Sequence, residues 1–423
     1  MFDTGSADAW VFSSRTAHKL PYLHYFDGSR SSTCQPTSTL WSIRYGKGQV
    51  AGVLSRDVVR LGRYETTSGY TFAEAVDYST DLVDEKLPLD GIVGMAFSEL
   101  SRAKQPTLID ALHQQGQLKE RIFSFYLQSS GGRDGSQLLI GPPDMSLAPQ
   151  GLSWHAVLEK THHWMLHLTT LGLGLDRQHR IRNVRIYFRL SSPLAHCSPV
   201  RLCLLPDGGS TGDMCDISAG HACVALIDTG TSFIGVPAAF YTTFARHIIS
   251  RRHDCAPHGT TQIITCSSTS THSLPTLAFT LSASHTYTLE PSDYLSEHTV
   301  GVMPLHTSMS GQAVELFILG DTFLRTFYTT FDMDRAAIGI ANGKNVRREE
   351  AALWGGWSLW QLVAVVAAGG LGLCLLGLCL WRAVVWARGS SWLGGGAGAS
   401  APLWARPSSE SVLDTAHVPQ STV

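Results

Sequence analysis

Two short segments of this 423-residue chain are equipped to do chemistry together: Phe2-Asp3-Thr4-Gly5-Ser6 at its start and Ile227-Asp228-Thr229-Gly230-Thr231 midway along. Each sets a carboxylate between an apolar residue and a Thr-Gly pair. A single Asp-Thr-Gly is an ordinary turn tripeptide. Two copies in matching contexts, one early and one late, describe two half-sites that meet in space. Carboxylates brought together in this way share one proton, because closely spaced like charges cannot both ionise. Their titration then belongs to the pair. One member acts as general base on a water molecule, the other as general acid at a carbonyl oxygen. Hydrolysis of a peptide bond by an activated water needs such a pair.

The elements that must position these residues read mostly as strands. Ser42–Tyr45, Val50–Leu54, Leu138–Ile140, Phe317–Leu319 and Tyr328–Phe331 are short, β-branched or aromatic, and bounded by Gly, Pro, Asp or Ser. Helical spacing appears at Pro106–Gln115, with apolar Leu108, Ile109 and Leu112, and again from Pro237 to Ser250, where the proline suits a first helical turn. Each of these helices follows one Asp-Thr-Gly copy within its own half. Residues 174–212 differ in texture: a basic run, Asp176 to Arg185, leads into a stretch rich in Pro, Gly and Ser. They are read as an exposed inserted loop, with a retained intron as the alternative.

Composition narrows the setting. The formal net charge is −2 and charged residues make up 16%, which gives no footing for nucleic acid. Eighteen histidines are the larger reservoir of charge: protonating all of them takes the net charge from −2 to +16, around an imidazole pKa of about 6.5. Histidine is either a plain surface substitute for Lys and Gln or the mark of a protein that works in acid. Nine cysteines are present, two of them (Cys374, Cys379) in an apolar run. The close spacings Cys215 to Cys223 and Cys255 to Cys266 suit local disulfides in an oxidising compartment. No repeated CxxC spacing points to a metal site, and no cofactor is expected. The odd total leaves at least one free thiol, assigned to Cys34.

From Ala351 to Trp381 there is no charged residue. The predicted transmembrane helix, residues 353–381, is long enough to span a bilayer. Trp354, Trp357 and Trp360 cluster at one end, with Trp381 and Trp386 at the other, as in interfacial aromatic belts. Lys/Arg counts on the two sides are similar, so the cysteines orient the span, with residues 1–350 lumenal or extracellular in the secretory or endolysosomal system. That is a single-pass type I arrangement. Residues 382–423 read as a disordered cytosolic tail. Its last residues, Ser421-Thr422-Val423, offer a weak ligand for a PDZ groove, or are simply a tail end.

With these residues in hand, the chain from Met1 to about Asn342 resembles the pepsin-type aspartic endopeptidases. Phe2 to Ser6, followed by Ala7-Asp8-Ala9-Trp10-Val11, resembles the family's N-lobe signature, and Asp228-Thr-Gly-Thr-Ser232 its C-lobe signature. Tyr45-Gly46 with Gly48 resembles the flap hairpin. Asp90 to Phe97 and Phe317 to Phe323 resemble the apolar-apolar-Gly strands that complete each catalytic loop. The resemblance implies a mainly β, bilobal acid-protease fold with few short helices: an N-lobe over 1–150 and a C-lobe over 151–345. It also implies extended polypeptides as substrates and Asp3 and Asp228 as the proton-sharing pair of aspartic proteases.

Around that pair, Gly5 and Gly230 let backbone N–H groups approach the carboxylates without a Cβ clash. Thr4 and Thr229 are suited to cross-brace the two loops, and Ser6 and Thr231 to orient the outer oxygens. Tyr45 reads as a lid that excludes water, or else as a routine strand tyrosine. Trp10 either supports Tyr45 through its indole N–H or simply packs. A catalytically inactive relative, keeping the cleft as a peptide-binding or receptor module, is the alternative function.

The departures from the family carry expectations of their own. The family has a secretory signal, an inhibitory pro-segment and a first strand system before its first aspartate, whereas only Met1 and Phe2 precede Asp3. A start upstream of Met1 is therefore expected, bringing zymogen features, and residues 1–345 alone are expected to fold poorly for want of strand partners. The small disulfide loop that follows the first motif in the family is missing. Cys223 matches the family's C-lobe cysteine, with Cys215 as partner across a longer loop. Cys266 matches a second family cysteine without its usual later partner, leaving Cys255 for it.

Overall fold

The computed structural model describes residues 1–16, 23–46, 48–79, 82, 89–128, 135–159, 161–174, 203–204, 210–211, 222–282, 284–305 and 314–345. Its elements are mostly strands, with a few short helices, as the sequence pattern predicts. Alternation drives the pairing. In strand Gln49–Asp57 the residues Val50, Gly52 and Leu54 turn inward while Gln49, Ala51 and Val53 stay accessible. Leu277, Phe279 and Leu281 do the same in Thr276–Leu281.

Two sheets carry the two motifs, and they repeat one pairing scheme. In a six-stranded sheet, Phe2–Asp3 runs parallel to Gly91–Gly94, whose other side takes Ala9–Phe12 antiparallel. In a seven-stranded sheet, Ala222–Ile227 runs parallel to Val314–Leu319, whose other side takes Ile234–Pro237 antiparallel. Each Asp-Thr-Gly therefore lies at the end of a strand held by a distant strand of its own half. In register, Asp3 faces Gly94 and Ile227 faces Leu319.

A five-stranded sheet draws on both halves, in the order Gln137–Ile140, Ile122–Tyr126, Thr329–Asp332, Ala337–Ala341, Leu152–Ala156. Ile122–Tyr126 and Thr329–Asp332 are buried at every position, so no period-2 pattern marks them. Phe123 stacks on Phe331 at 5.1 Å between centroids, and Trp164 meets both rings edge-on. The buried hydroxyls Ser124 Oγ and Thr330 Oγ1 satisfy each other at 3.0 Å.

The two expected helices are present as Leu108–Gln114 and Ala238–Ile249. The first begins two residues later than its proline, because the Thr107 side chain caps it by accepting from the Asp110 N–H at 3.2 Å. The second begins one residue after Pro237, which ends a strand and keeps extended backbone (ψ 141°). It buries Phe240, Tyr241, Phe244 and Ile248 on one face. Cys255 and Cys266 form a disulfide across paired strands, and Cys34 is free. Cys223 is also disulfide-bonded, while Cys215 lies outside the described residues. Within 174–212 the described pieces include a two-stranded pairing of Cys203–Leu204 with Ser210–Thr211. Among the described residues no helix is long and apolar enough to cross a membrane. The predicted span 353–381 and the tail 382–423 lie outside them.

Candidate active site

Asp3 and Asp228, 225 positions apart, come together with only 5% and 7% of their surface exposed. Each carboxylate lies against the glycine of the other motif. A Cβ added to Gly5 would stand 2.7 Å from Asp228 Oδ1, and one added to Gly230 would stand 2.3 Å from Asp3 Oδ1. No side chain fits in either place, so glycine is what allows the carboxylates to meet.

The hydrogen bonds obey an approximate two-fold symmetry. The Gly5 N–H donates to Asp3 Oδ1 at 2.8 Å, and the Gly230 N–H donates to Asp228 Oδ1 at 2.8 Å. Ser6 Oγ donates to Asp3 Oδ2, and Thr231 Oγ1 donates to Asp228 Oδ2 at 2.6 Å. Thr4 and Thr229 lock the loops reciprocally, each side-chain oxygen accepting the other's backbone N–H at 3.0 Å. Their hydroxyls then donate onward, Thr4 to the Ile227 carbonyl and Thr229 to the Phe2 carbonyl, both at 2.8 Å. With Oδ1 and Oδ2 of each carboxyl already held, neither group needs to reorganise as charge moves between them. Burial first, and the charge of Asp228 second, push the Asp3 carboxyl up to about 7, against the pull of Ser6 and Gly5. A proton is therefore retained at this site well above the ordinary carboxylate range.

Tyr45 sits at the tip of the hairpin formed by Gln35–Arg44 and Gln49–Asp57, its N–H donating to the Gly48 carbonyl at 3.0 Å. The fully buried Trp10 donates its indole N–H to Tyr45 Oη at 2.8 Å. Burial pushes the phenol far above its usual value, and among the smaller influences are Asp3 and a hydrogen bond with Ser6. Trp10 therefore supports Tyr45 as well as packing edge-on against Phe12. Gly46 is exposed beside Tyr45, with open space where a Cβ would go. The disulfide Cys255–Cys266 links two strands of a separate four-stranded sheet.

Two features at the site escaped the sequence reading. Asp321 opens the short helix Asp321–Leu324, and its N–H donates to the Thr231 carbonyl at 2.8 Å. Trp164 comes from a turn 64 positions before Asp228, yet its carbonyl accepts the Ile227 N–H and its indole N–H donates to the Met95 carbonyl. The one available signal was Trp164 itself, since a buried indole N–H needs a partner.

The family model for eukaryotic aspartyl proteases matches residues 1–183 and 210–343. Pepsin II-1 of Oryctolagus cuniculus is 29% identical over 349 residues, 81% of this chain and 76% of the relative. Pregnancy-associated glycoprotein 6 of Ovis aries is 29% identical over 345 residues, covering 80% and 76%. Gastricsin of Callithrix jacchus is 26% identical over 346 residues, covering 81% and 76%. With three-quarters of its length matched by that model, the chain belongs to the eukaryotic aspartyl proteases, hydrolases of the aspartic endopeptidase class.

Proposed function

We propose that this chain is a working endopeptidase that cleaves extended polypeptides in acid, using Asp3 and Asp228 as a single proton-sharing unit. The observation that carries the reading is the mutual seating of each carboxylate against the other motif's glycine, with both half-sites intact. The ionised member takes a proton from water as the oxygen attacks the scissile carbonyl carbon. The protonated member gives its proton to the carbonyl oxygen; as the C–N bond breaks, the newly protonated member protonates the leaving amine and a gem-diol hydroxyl returns a proton to the other, which resets the pair. Tyr45, braced by Trp10, closes over the substrate and keeps out competing water.

The raised titration of Asp3 and the 18 histidines support acidic operation. The Cys255–Cys266 disulfide supports a lumenal or extracellular compartment. On this reading residues 353–381 anchor the protein as a single-pass membrane protein, and cleavage falls between large apolar residues. The test is pepstatin-sensitive cleavage of an unfolded polypeptide at about pH 4–6. Asp3→Asn and Asp228→Asn should each lower kcat by about 100- to 10,000-fold. Pepstatin binding without any cleavage by the wild type would instead identify a peptide-binding module, and undiminished activity in Asp228→Asn would overturn the dyad.

A further inference from the structure

A line of three hydrogen bonds leads from one half-site to the other, and a single side chain completes it. The Asp3 carbonyl accepts the Met95 N–H at 2.8 Å. The Met95 carbonyl accepts the Trp164 indole N–H at 2.9 Å, and the Trp164 carbonyl accepts the Ile227 N–H at 2.9 Å. Met95 follows Gly94, the residue in register with Asp3, and Ile227 ends the strand that delivers Asp228. Met95, Trp164 and Ile227 are all buried. Phe97 lies 4.5 Å from the indole between centroids, Phe331 5.1 Å and Phe123 6.0 Å. These rings leave the indole little room to turn its N–H away. An indole alone among side chains carries an N–H on so large an apolar body. The Thr4–Thr229 pair joins the two loops directly. Trp164 instead joins the residue bonded to Asp3 with the strand that leads into Asp228.

We propose that Trp164 is a positioning residue of the dyad, a strap that fixes the spacing of Asp3 and Asp228. The inference rests on the dyad reading. Sharing one proton requires the two carboxyls to keep their spacing as charge moves, so a backbone that gives by a fraction of an ångström weakens the pair. Each aspartate is first bonded within its own half, Asp3 to Met95 and the Asp228 N–H to the Leu319 carbonyl at 3.2 Å. The strap joins those two frames into one. Without the indole N–H, the Met95 carbonyl is left unpaired among apolar rings. It escapes that cost only by shifting, and the hydrogen bond from Met95 takes the Asp3 backbone with it.

The experiment compares the full chain as wild type, Trp164→Phe, Trp164→β-(3-benzothienyl)alanine and Phe331→Leu, with kcat and KM for a fluorogenic polypeptide measured across pH. The benzothienyl isostere keeps the size of the ring and puts sulfur in place of its N–H, so it packs where Phe leaves a gap. Both Trp164 variants should lower kcat by about 10- to 100-fold while KM changes far less. Their profiles of kcat/KM against pH should also narrow, by up to about one pH unit, because carboxyls that stand further apart repel less. Phe331→Leu loosens the packing around the same indole and leaves its hydrogen bond, so it should lose stability and keep the wild-type kcat and profile. An isostere variant with the kcat and profile of an active wild type overturns the strap and leaves the dyad reading standing. So does a Phe331→Leu variant that matches the losses of both Trp164 variants. A second readout needs no turnover. In the isostere variant, hydrogen exchange at the Met95 amide should quicken by about 10-fold, and an unchanged rate overturns the strap. Should the wild type fail to cleave, the dyad reading is at fault, and the exchange rate alone decides whether Trp164 holds Met95 against Asp3.

Discussion

Thr4 and Thr229 hold each other's backbone: each side-chain oxygen accepts the other's N–H at 3.0 Å, across 225 residues of chain. The pair is buried, so removing one hydroxyl strands a donor where water cannot replace the lost partner. Thr4→Val keeps the shape and removes the oxygen. It should cost about 1–3 kcal/mol in urea unfolding, with kcat falling while KM moves little. The double variant with Thr229→Val should cost less than the sum of the singles, by about 0.5–3 kcal/mol. Strict additivity would mean that the two loops are not coupled through this pair.

Gly5 and Gly230 make a sharper demand. A methyl group at Gly230 would lie 2.3 Å from Asp3 Oδ1, well inside contact distance, and one at Gly5 would lie 2.7 Å from Asp228 Oδ1. Since the obstacle is a carboxylate that must not move, relief comes by displacing the reacting group. A displacement of about 1 Å is worth roughly 100-fold in rate. Gly5→Ala and Gly230→Ala should therefore lower kcat by at least about that factor. Full activity in either variant would show that the carboxylates have slack the geometry denies them.

Much of this site was legible in the sequence because its physics is local. Carboxylate, threonine hydroxyl, glycine and the outer hydroxyl sit within four consecutive residues in each motif, so their pattern survives without a structure. The Tyr45 hairpin is similarly compact. What sequence hides is contact between distant residues. Trp164 bonds to Met95 on one side and to Ile227 on the other, and nothing in the sequence around it reports that. The shared sheet was hidden for another reason. Ile122–Tyr126 is buried on both faces and shows no alternation, so neither its centrality nor its pairing with Thr329–Asp332 could be read. Helix starts slipped by one or two residues because Thr107 and Pro237 occupy the cap positions, where the sequence pattern began the helices at Pro106 and at Pro237.

The Trp10–Tyr45 bond makes the hairpin tip testable apart from the carboxylates. Tyr45→Phe removes the acceptor of a fully buried indole N–H and severs the link towards Ser6. It should lower kcat/KM by about 10-fold, matching the loss of a hydrogen bond made as the lid closes. Stability should fall by only about 1–2 kcal/mol. Trp10→Phe removes the donor and leaves a void in the core around Phe12 and Ala73, so it should cost more stability than Tyr45→Phe does. Equal stability losses would mean that the indole N–H, and not its packing, is what the fold relies on.

The pH dependence of stability follows from the site's buried acids. Asp3 titrates at about 7 when folded, against an ordinary value of 3.8, and burial raises Asp321 in the same direction with Arg325 opposing it. Between those two limits the native state holds a proton that the unfolded chain has released. Stability therefore falls as pH rises, by up to about 1.4 kcal/mol for each pH unit in which only the native state is protonated. Asp57, Asp254 and Asp334 act with the opposite sign. Their values are lowered, so their contribution is present above the ordinary carboxylate value and is lost as pH falls through the folded one. His155 and His247, lowered by burial to about 4, share that second sign below the ordinary imidazole value of 6.5, so in that window they offset the two raised acids. Thermal unfolding measured from acid to neutral pH isolates the share of Asp3, a decline towards neutrality, as the difference between the wild type and Asp3→Asn. Asp3→Asn should flatten that decline and raise the melting temperature at neutral pH, because an amide is buried there without charge repulsion. An Asp3→Asn variant whose melting temperature runs parallel to that of the wild type from about pH 4 to pH 7 would show that the pair does not carry the stored proton.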